Sequence, residues 1–164
     1  MVTLVRVDDR VIHGQTMACW LAQVPCEGIL IVDDKLAQNQ QMINIYRNTV
    51  PSGIRVFVFS VEKAKVKIPE AIGSAKNYFV IFRTVLTLKD YLNSGGVLEG
   101  EINVGPASGG RPGATVVVPT IALTGEEVSA YHEIALRGYR IYLQIVPAAK
   151  KLWWDDAVKK IDKT

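Results

Sequence analysis

The stretch RVDDRVIHGQT, Arg6 to Thr16, gathers residue types that can do chemistry within one short segment. It holds one of the two histidines of the chain, His13, followed at once by a glycine, with Arg10 three residues upstream and Asp8 and Asp9 just before it. An imidazole titrates near pH ~6.5 in free solution, so close to neutrality much of it is uncharged and nucleophilic. It can take a phosphoryl group. Such a transfer asks a protein mainly for in-line positioning and for donors to the equatorial oxygens, which a guanidinium such as Arg10 and the free N–H groups of a helix start supply. The carboxylates would repel a phosphate, and they make sense if Asp8 or Asp9 holds Arg10 in place or accepts a hydrogen bond from one ring nitrogen. The competing reading is a histidine that caps or packs and has no chemistry.

The elements around this stretch must put it on an edge. Apolar, β-branched runs recur at 4–7, 29–34, 54–59, 78–82, 102–104, 115–118 and 140–146, and they are near-continuous, as strands covered on both faces are. Helical stretches lie between most of them. One opens with a capping box, Thr124 with Glu127, carries a stripe of Val128, Tyr131, Ile134 and Ala135, and stops at Gly138. Another starts at Thr87 and ends near Gly95 and Gly96, and Ser60 and Asp34 are candidate N-caps for two more. The expectation is an α/β chain, a single domain over 1–164, with an open twisted seven-stranded, mostly parallel sheet and helices on both faces.

In such sheets sites form beyond the carboxyl ends of the strands. The first strand is expected to end near Val7 or Asp8, and Gln15, Met17, Trp20 and Leu21 begin the first helix, so His13 falls on the connecting loop, with Trp20 in the core. Gly14 would let a ligand approach the backbone, and the helix start favours an anion. Asp33 and Asp34 end the second strand and are expected on the same edge. The one long glycine-rich loop, Gly105 to Ala114, could cradle an anion, but it lacks the lysine and spacing of a nucleotide-binding P-loop and reads as a plain mobile loop instead.

Composition removes several alternatives. With 19 basic and 16 acidic residues the net charge is +3, too small to imply nucleic acid, and no basic run is interleaved with stacking aromatics. Cys19 and Cys26 are seven apart and outside any CxxC, so buried reduced thiols are expected instead of a zinc or redox pair. No basic leader and no apolar run of about 20 residues is present, which points to a cytoplasmic protein. Asp8, Asp9, Asp33, Asp34 and His13 together suggest a divalent cation, but neighbouring aspartates on a strand point to opposite faces, and no metal site is expected. The IHG triplet differs from the RHG of histidine phosphatases and mutases in having Ile12 before the histidine. His132 is placed on a helix surface.

The motif RVDDRVIHGQ resembles the IIB subunits of the mannose, fructose and sorbose family of the bacterial phosphoenolpyruvate-dependent sugar phosphotransferase system. The likeness continues through IVDDKLAQNQQM, FSVEKA, FRTVLTLKDYLNSGG, INVG and LQIVP, thus over nearly the whole chain. It implies that His13, the histidine of DDRxIHGQ, carries the phosphoryl group, with Nδ1 as the modified nitrogen. Arg10, Asp8 and Asp9 inherit places around it, and Arg10, Gly14 and Gln15 form the phosphate-binding set. The resemblance implies no metal and no cofactor. It implies that a IIA domain donates the group, that a sugar on the membrane IIC and IID subunits receives it, and that the chain sits in the cytoplasm against them. Family members commonly form dimers. Val11 stands where the motif has leucine, and PASGGRPG is richer in glycine than the family pattern, which leaves the part of Ser108 and Arg111 open. A module that docks on the same partners and transfers nothing is the alternative, and the sugar's identity is not expected in this chain. At the carboxyl end, AAKKLWWDDAVKKI puts Trp154, Ala157, Val158 and Ile161 on one helix face among Lys150, Lys151, Lys159 and Lys160. That face is expected to pack on the sheet, the other reading being contact with acidic lipid.

Overall fold

The structure, a computed structural model, describes residues 1–163. Its centre is a seven-stranded sheet built from β1 (Val2–Val7), β2 (Gly28–Val32), β3 (Arg55–Phe59), β4 (Tyr78–Phe82), β5 (Ile102–Val104), β8 (Ile141–Leu143) and β9 (Leu152–Trp153). The order is β3-β2-β4-β1-β5-β8-β9, and every pairing is parallel except β8 with β9. The register sets Val5 level with Val80 on one side and with Ile102 on the other.

Alternate strand residues serve two cores, which explains why the strands read as unbroken apolar runs. Leu4, Ile29, Ile31, Phe79 and Ile81 pack under α1 (Gly14–Gln23) and α2 (Gln40–Thr49) through Met17, Trp20 and Tyr46. Val5, Leu30, Val80, Phe82 and Val104 face α3 (Val61–Ile72), α4 (Val85–Asn93) and α5 (Gly125–Leu136) on the other side. Right-handed crossovers require this division, since the chain moves one way across the sheet through α1 and α2 and the other way through α3, α4 and α5. The loop after β1 therefore stands at the point where the winding reverses.

Several starts are as the sequence indicates. The Thr124 and Glu127 capping box is complete, and the Ser60 hydroxyl accepts from the Lys63 N–H. Others differ. Thr84, and not Thr87, caps α4, accepting the Thr87 N–H, so that helix begins earlier. Asp34 does not cap the helix that follows it; its carboxylate accepts the Val61 N–H at the start of α3, while Asn39 caps α2.

The run Thr115–Val118 is not in the main sheet. It forms β6 of a hairpin with β7 (Ile121–Leu123), turning through Pro119 and Thr120. Val116 is 65 % exposed, so this segment has one buried face where the main strands have two. Its place as seventh strand is taken by β9, which Tyr142 and Arg140 hold by ring and cation contacts with Trp153.

The carboxyl-terminal stripe is core. In α6 (Trp154–Ile161) Trp154 and Ala157 are buried, and Val158 and Ile161 pack against the larger cluster. Lys150 and Lys151 precede the helix, and Lys151 lies over the Tyr142 ring and pairs with Glu101. Lipid could reach that face only by unpacking the domain. Among the described residues no helix is long and apolar enough to cross a membrane.

The cysteines separate in a way the sequence does not anticipate. Cys19 is exposed on α1 and not buried, because it falls on the outer side of a helix whose Met17 and Trp20 turn inward. Cys26 is half-buried, donates to the Gly28 carbonyl, and burial pushes its thiol up to about 11. At pH 8 only about one Cys26 in a thousand is then thiolate, the reactive form. A thiol-reactive disulfide is expected to label Cys19 at once and Cys26 slowly, the second rate rising with pH; equal rates at pH 8 would contradict this.

Candidate functional site

The loop from Asp8 to His13 is pinned from below by an ion pair inside the sheet. Arg6 has no exposed surface, and its Nε donates to Asp8 Oδ2 at 3.0 Å. Three of its other donors go to the Asn103 side-chain oxygen and to the carbonyls of Gln144 and Ile145, and its guanidinium lies over the Trp20 ring. Burial drives both partners toward neutrality, lowering Arg6 and raising Asp8 against their mutual attraction. A guanidinium holds its proton so strongly that the pair remains ionic. Gly105 is required here, since a Cβ on it would sit 2.5 Å from the Arg6 guanidinium.

This corrects the expected role of the carboxylates. Asp8 grips Arg6, not the Arg10 side chain, and its other oxygen accepts the backbone N–H of Arg10 at 3.0 Å, tightening the turn. Asp9 Oδ2 accepts the backbone N–H and hydroxyl of Ser108, from the glycine-rich loop. Neither carboxylate bonds the His13 ring, and the Arg10 side chain is exposed with no partner among the described residues. The turn stores strain as well. Val11, fully buried, has φ of 62°, a conformation β-branched residues seldom adopt, and strain of this kind costs about 1–3 kcal/mol.

His13 is exposed and stands at the N-cap of α1. Its side chain makes no cap; its carbonyl accepts the Met17 N–H at 2.9 Å, the first helical hydrogen bond. The N–H groups of Gly14, Gln15 and Thr16 come before that bond and are the orphan donors of the helix start. Gly14 needs no freedom for the fold itself, as a Cβ there would meet nothing within 4 Å. His13, Arg10, Gly14 and Gln15 are thus all presented outward on one short segment.

The same sheet edge carries an open cleft of about 570 Å³, whose lining includes Asp9, Asp33, Asp34, Lys35, Arg83 and Arg111. Asp33 and Asp34 do reach this edge, but as acceptors for the Leu36 and Val61 N–H groups. Among the described residues no group of three or more His, Cys, Asp or Glu side chains is arranged to hold a cation. His132 is exposed on α5. A more apolar hollow of about 360 Å³, walled by Leu30, Phe57, Phe59 and Tyr78, lies on the α3 face and includes nothing from the His13 loop.

Sequence reading passed over Arg6 and Arg83. Arg6 had a signal: an arginine inside a doubly covered strand needs a partner, and Asp8 follows two residues on, on the same strand face. Arg83 had one too, as the first polar residue beyond β4 at the edge where sites form.

An outward-facing imidazole thus stands on a pinned loop at the winding reversal of a mostly parallel α/β sheet, the edge at which ligands bind in open sheets. A family model described as the sorbose subfamily IIB component of the phosphotransferase system matches residues 2–164. The sorbose-specific EIIB component of Klebsiella pneumoniae is 27 % identical over 165 residues, covering 99 % of this chain and 94 % of that protein. The crystal structure of the IIB domain of the sorbose permease from Klebsiella pneumoniae superposes with a TM-score of 0.87 at 25 % identity, covering 100 % of this chain and 98 % of the other. The manxB structure from Thermoanaerobacter tengcongensis gives 0.88 at 29 %, covering 98 % and 96 %. The mannose-specific EIIAB component of Escherichia coli K12 is 27 % identical over 163 residues, 99 % of this chain and 50 % of that longer protein.

The chain belongs to the sorbose-subfamily IIB components of the phosphotransferase system. IIB components of this system are phosphotransferases that take a phosphoryl group from IIA and pass it to the sugar at IIC and IID.

Proposed function

We propose that His13 is the residue of this chain that carries the phosphoryl group, and that 1–164 acts as one IIB domain. The observation that carries this is the exposed ring of His13 beside the orphan N–H groups of Gly14, Gln15 and Thr16. In the first step a ring nitrogen of His13 attacks phosphorus, the P–N bond to the donor imidazole of IIA breaks, and the displaced proton ends on the donor ring. In the second, a sugar hydroxyl attacks, the P–N bond to His13 breaks, and the hydroxyl proton returns to the ring. The helix-start donors and Arg10 stabilise the equatorial oxygens in both. Asp8 and Asp9 act by holding the loop.

The ring must reach two protein surfaces in turn, which its exposure permits and a buried nucleophile would not. Sugar choice then rests with IIC and IID. Relatives named for sorbose, mannose and N-acetylgalactosamine are 27 %, 27 % and 28 % identical to this chain, which supports that division. We place the chain in the cytoplasm, held at the inner membrane face by IIC and IID. Light scattering reads its assembly, a doubled mass marking the homodimer that family members commonly form.

The test is reconstitution: membranes holding IIC and IID, charged IIA and this chain should phosphorylate sugar, and omitting the chain should stop it. A protein that binds IIA yet never accepts the label would instead be a docking module. Arg10→Lys is expected to slow transfer about tenfold, because an ammonium does not reproduce a planar fork on phosphoryl oxygens. Unchanged rates in both directions would remove Arg10 from the site.

A further inference from the structure

The glycine-rich loop is tied to the His13 loop by a continuous set of hydrogen bonds, of which the proposed chemistry so far uses only the Asp9 end. Asp9 donates its N–H to the Pro106 carbonyl at 3.2 Å. Its carboxylate accepts in return from the Ser108 N–H at 2.6 Å and from the Ser108 hydroxyl. The Ser108 carbonyl accepts from Arg111 Nε at 2.9 Å. Arg111 then forks onto both oxygens of Glu127 and donates to the Ala122 carbonyl at 2.8 Å. Glu127 is 8 % exposed and is itself fixed, because its carboxylate accepts the Thr124 N–H in the capping box of α5. The path runs from a helix terminus, through Arg111 and Ser108, to Asp9.

The Glu127 end of the path has a physical reason to be stiff. The Arg111–Glu127 contact is a two-pronged, charge-assisted pair against a nearly buried carboxylate. Those hydrogen bonds hold the Arg111 guanidinium above its ordinary value against a smaller burial penalty, with the charges of Glu127 and Asp9 adding to the effect. Gly109, Gly110 and Gly113 surround the clamp, and Gly110 and Gly113 take positive φ of 76° and 74°. A chain so rich in glycine has much freedom to lose, and only an anchor such as Arg111 keeps it in one conformation. At the far end, Asp9 is followed two residues later by the strained Val11. Asp8 is held by Arg6 from within the sheet, so the turn is clamped at two adjacent residues from two directions.

We infer that Ser108 and Arg111 are positioning residues for phosphoryl transfer, a latch that acts through Asp9 to keep the strained 8–13 turn ready to present His13. The inference rests on the His13 reading for its effect on rate, though not for its effect on the loop. Phosphoryl transfer depends steeply on alignment, so a turn that samples several conformations loses rate at saturating donor even when docking is unchanged.

The test uses full-length protein with phosphorylated IIA as donor. Ser108→Ala is expected to lower the saturating single-turnover rate about tenfold. Ser108→Thr, which keeps the hydroxyl, should restore most of that rate. Arg111→Lys, which keeps charge but not the fork, should fall between. Amide hydrogen exchange supplies the second readout: in Ser108→Ala, residues 9–13 should exchange at least several-fold faster while α5 and the main sheet keep their protection. An unchanged saturating rate, or Ser108→Thr as slow as Ser108→Ala, overturns the inference. So does exchange at 9–13 that matches wild type. If wild type takes the phosphoryl group on a residue other than His13, the functional reading falls, and the exchange result still decides whether the latch exists.

Discussion

His13→Ala is expected to abolish phosphoryl transfer while leaving stability within about 0.5 kcal/mol of wild type, the range of an exposed substitution away from special contacts. The side chain is exposed and caps nothing; what α1 takes from this residue is its carbonyl, which alanine keeps. The ordinary consequence of losing an N-cap, a destabilised helix, is therefore absent. Urea unfolding and incorporation of label from phosphoenolpyruvate through the general donor proteins measure the two halves. His132→Ala, on the outer side of α5, should transfer normally. Residual transfer by His13→Ala would mean that another group accepts phosphate.

The second large effect is expected at a residue that touches no substrate. Arg6→Met should cost about 3–5 kcal/mol, because it leaves the Asp8 carboxylate charged and buried with its partner gone. Acceptors on Asn103, Gln144 and Ile145 lose a donor at the same time. The cost should be strongly non-additive: adding Asp8→Ala to Arg6→Met should cost far less than Asp8→Ala alone, since the orphaned charge is then removed. Urea midpoints for the four proteins give the cycle, and additive losses would show that the pair is not coupled. The same substitution should slow transfer, because Asp8 Oδ1 holds the Arg10 N–H in the turn that leads to His13.

The parts of this molecule legible in its sequence are those governed by neighbours along the chain. Strands covered on both faces announce themselves as unbroken apolar runs, and the capping box of α5 needs only residues three apart. The placement of His13 at the strand-end loop follows from the same local logic together with one rule of α/β sheets. What was illegible depends on partners distant in sequence. Thr87 and Thr84 are equally good caps by type, and only the packing of Val85 in the core decides between them. Thr115–Val118 reads as a sheet strand, yet its exposed Val116 shows that nothing covers its outer face. The sequence pairs the aspartates with Arg10, which shares their loop. Their real partners are Arg6, reached because alternate strand residues share a face, and Ser108, reached across the sheet from a loop 99 residues away.

The most direct test of the account is to charge the wild-type protein with phosphoenolpyruvate and the general donor proteins and to identify the modified atom. Phosphorus NMR with peptide mapping should find one adduct, stable to alkali and labile to acid, on Nδ1 of His13. A phosphoryl group on serine, aspartate or any other residue would contradict the account at its centre.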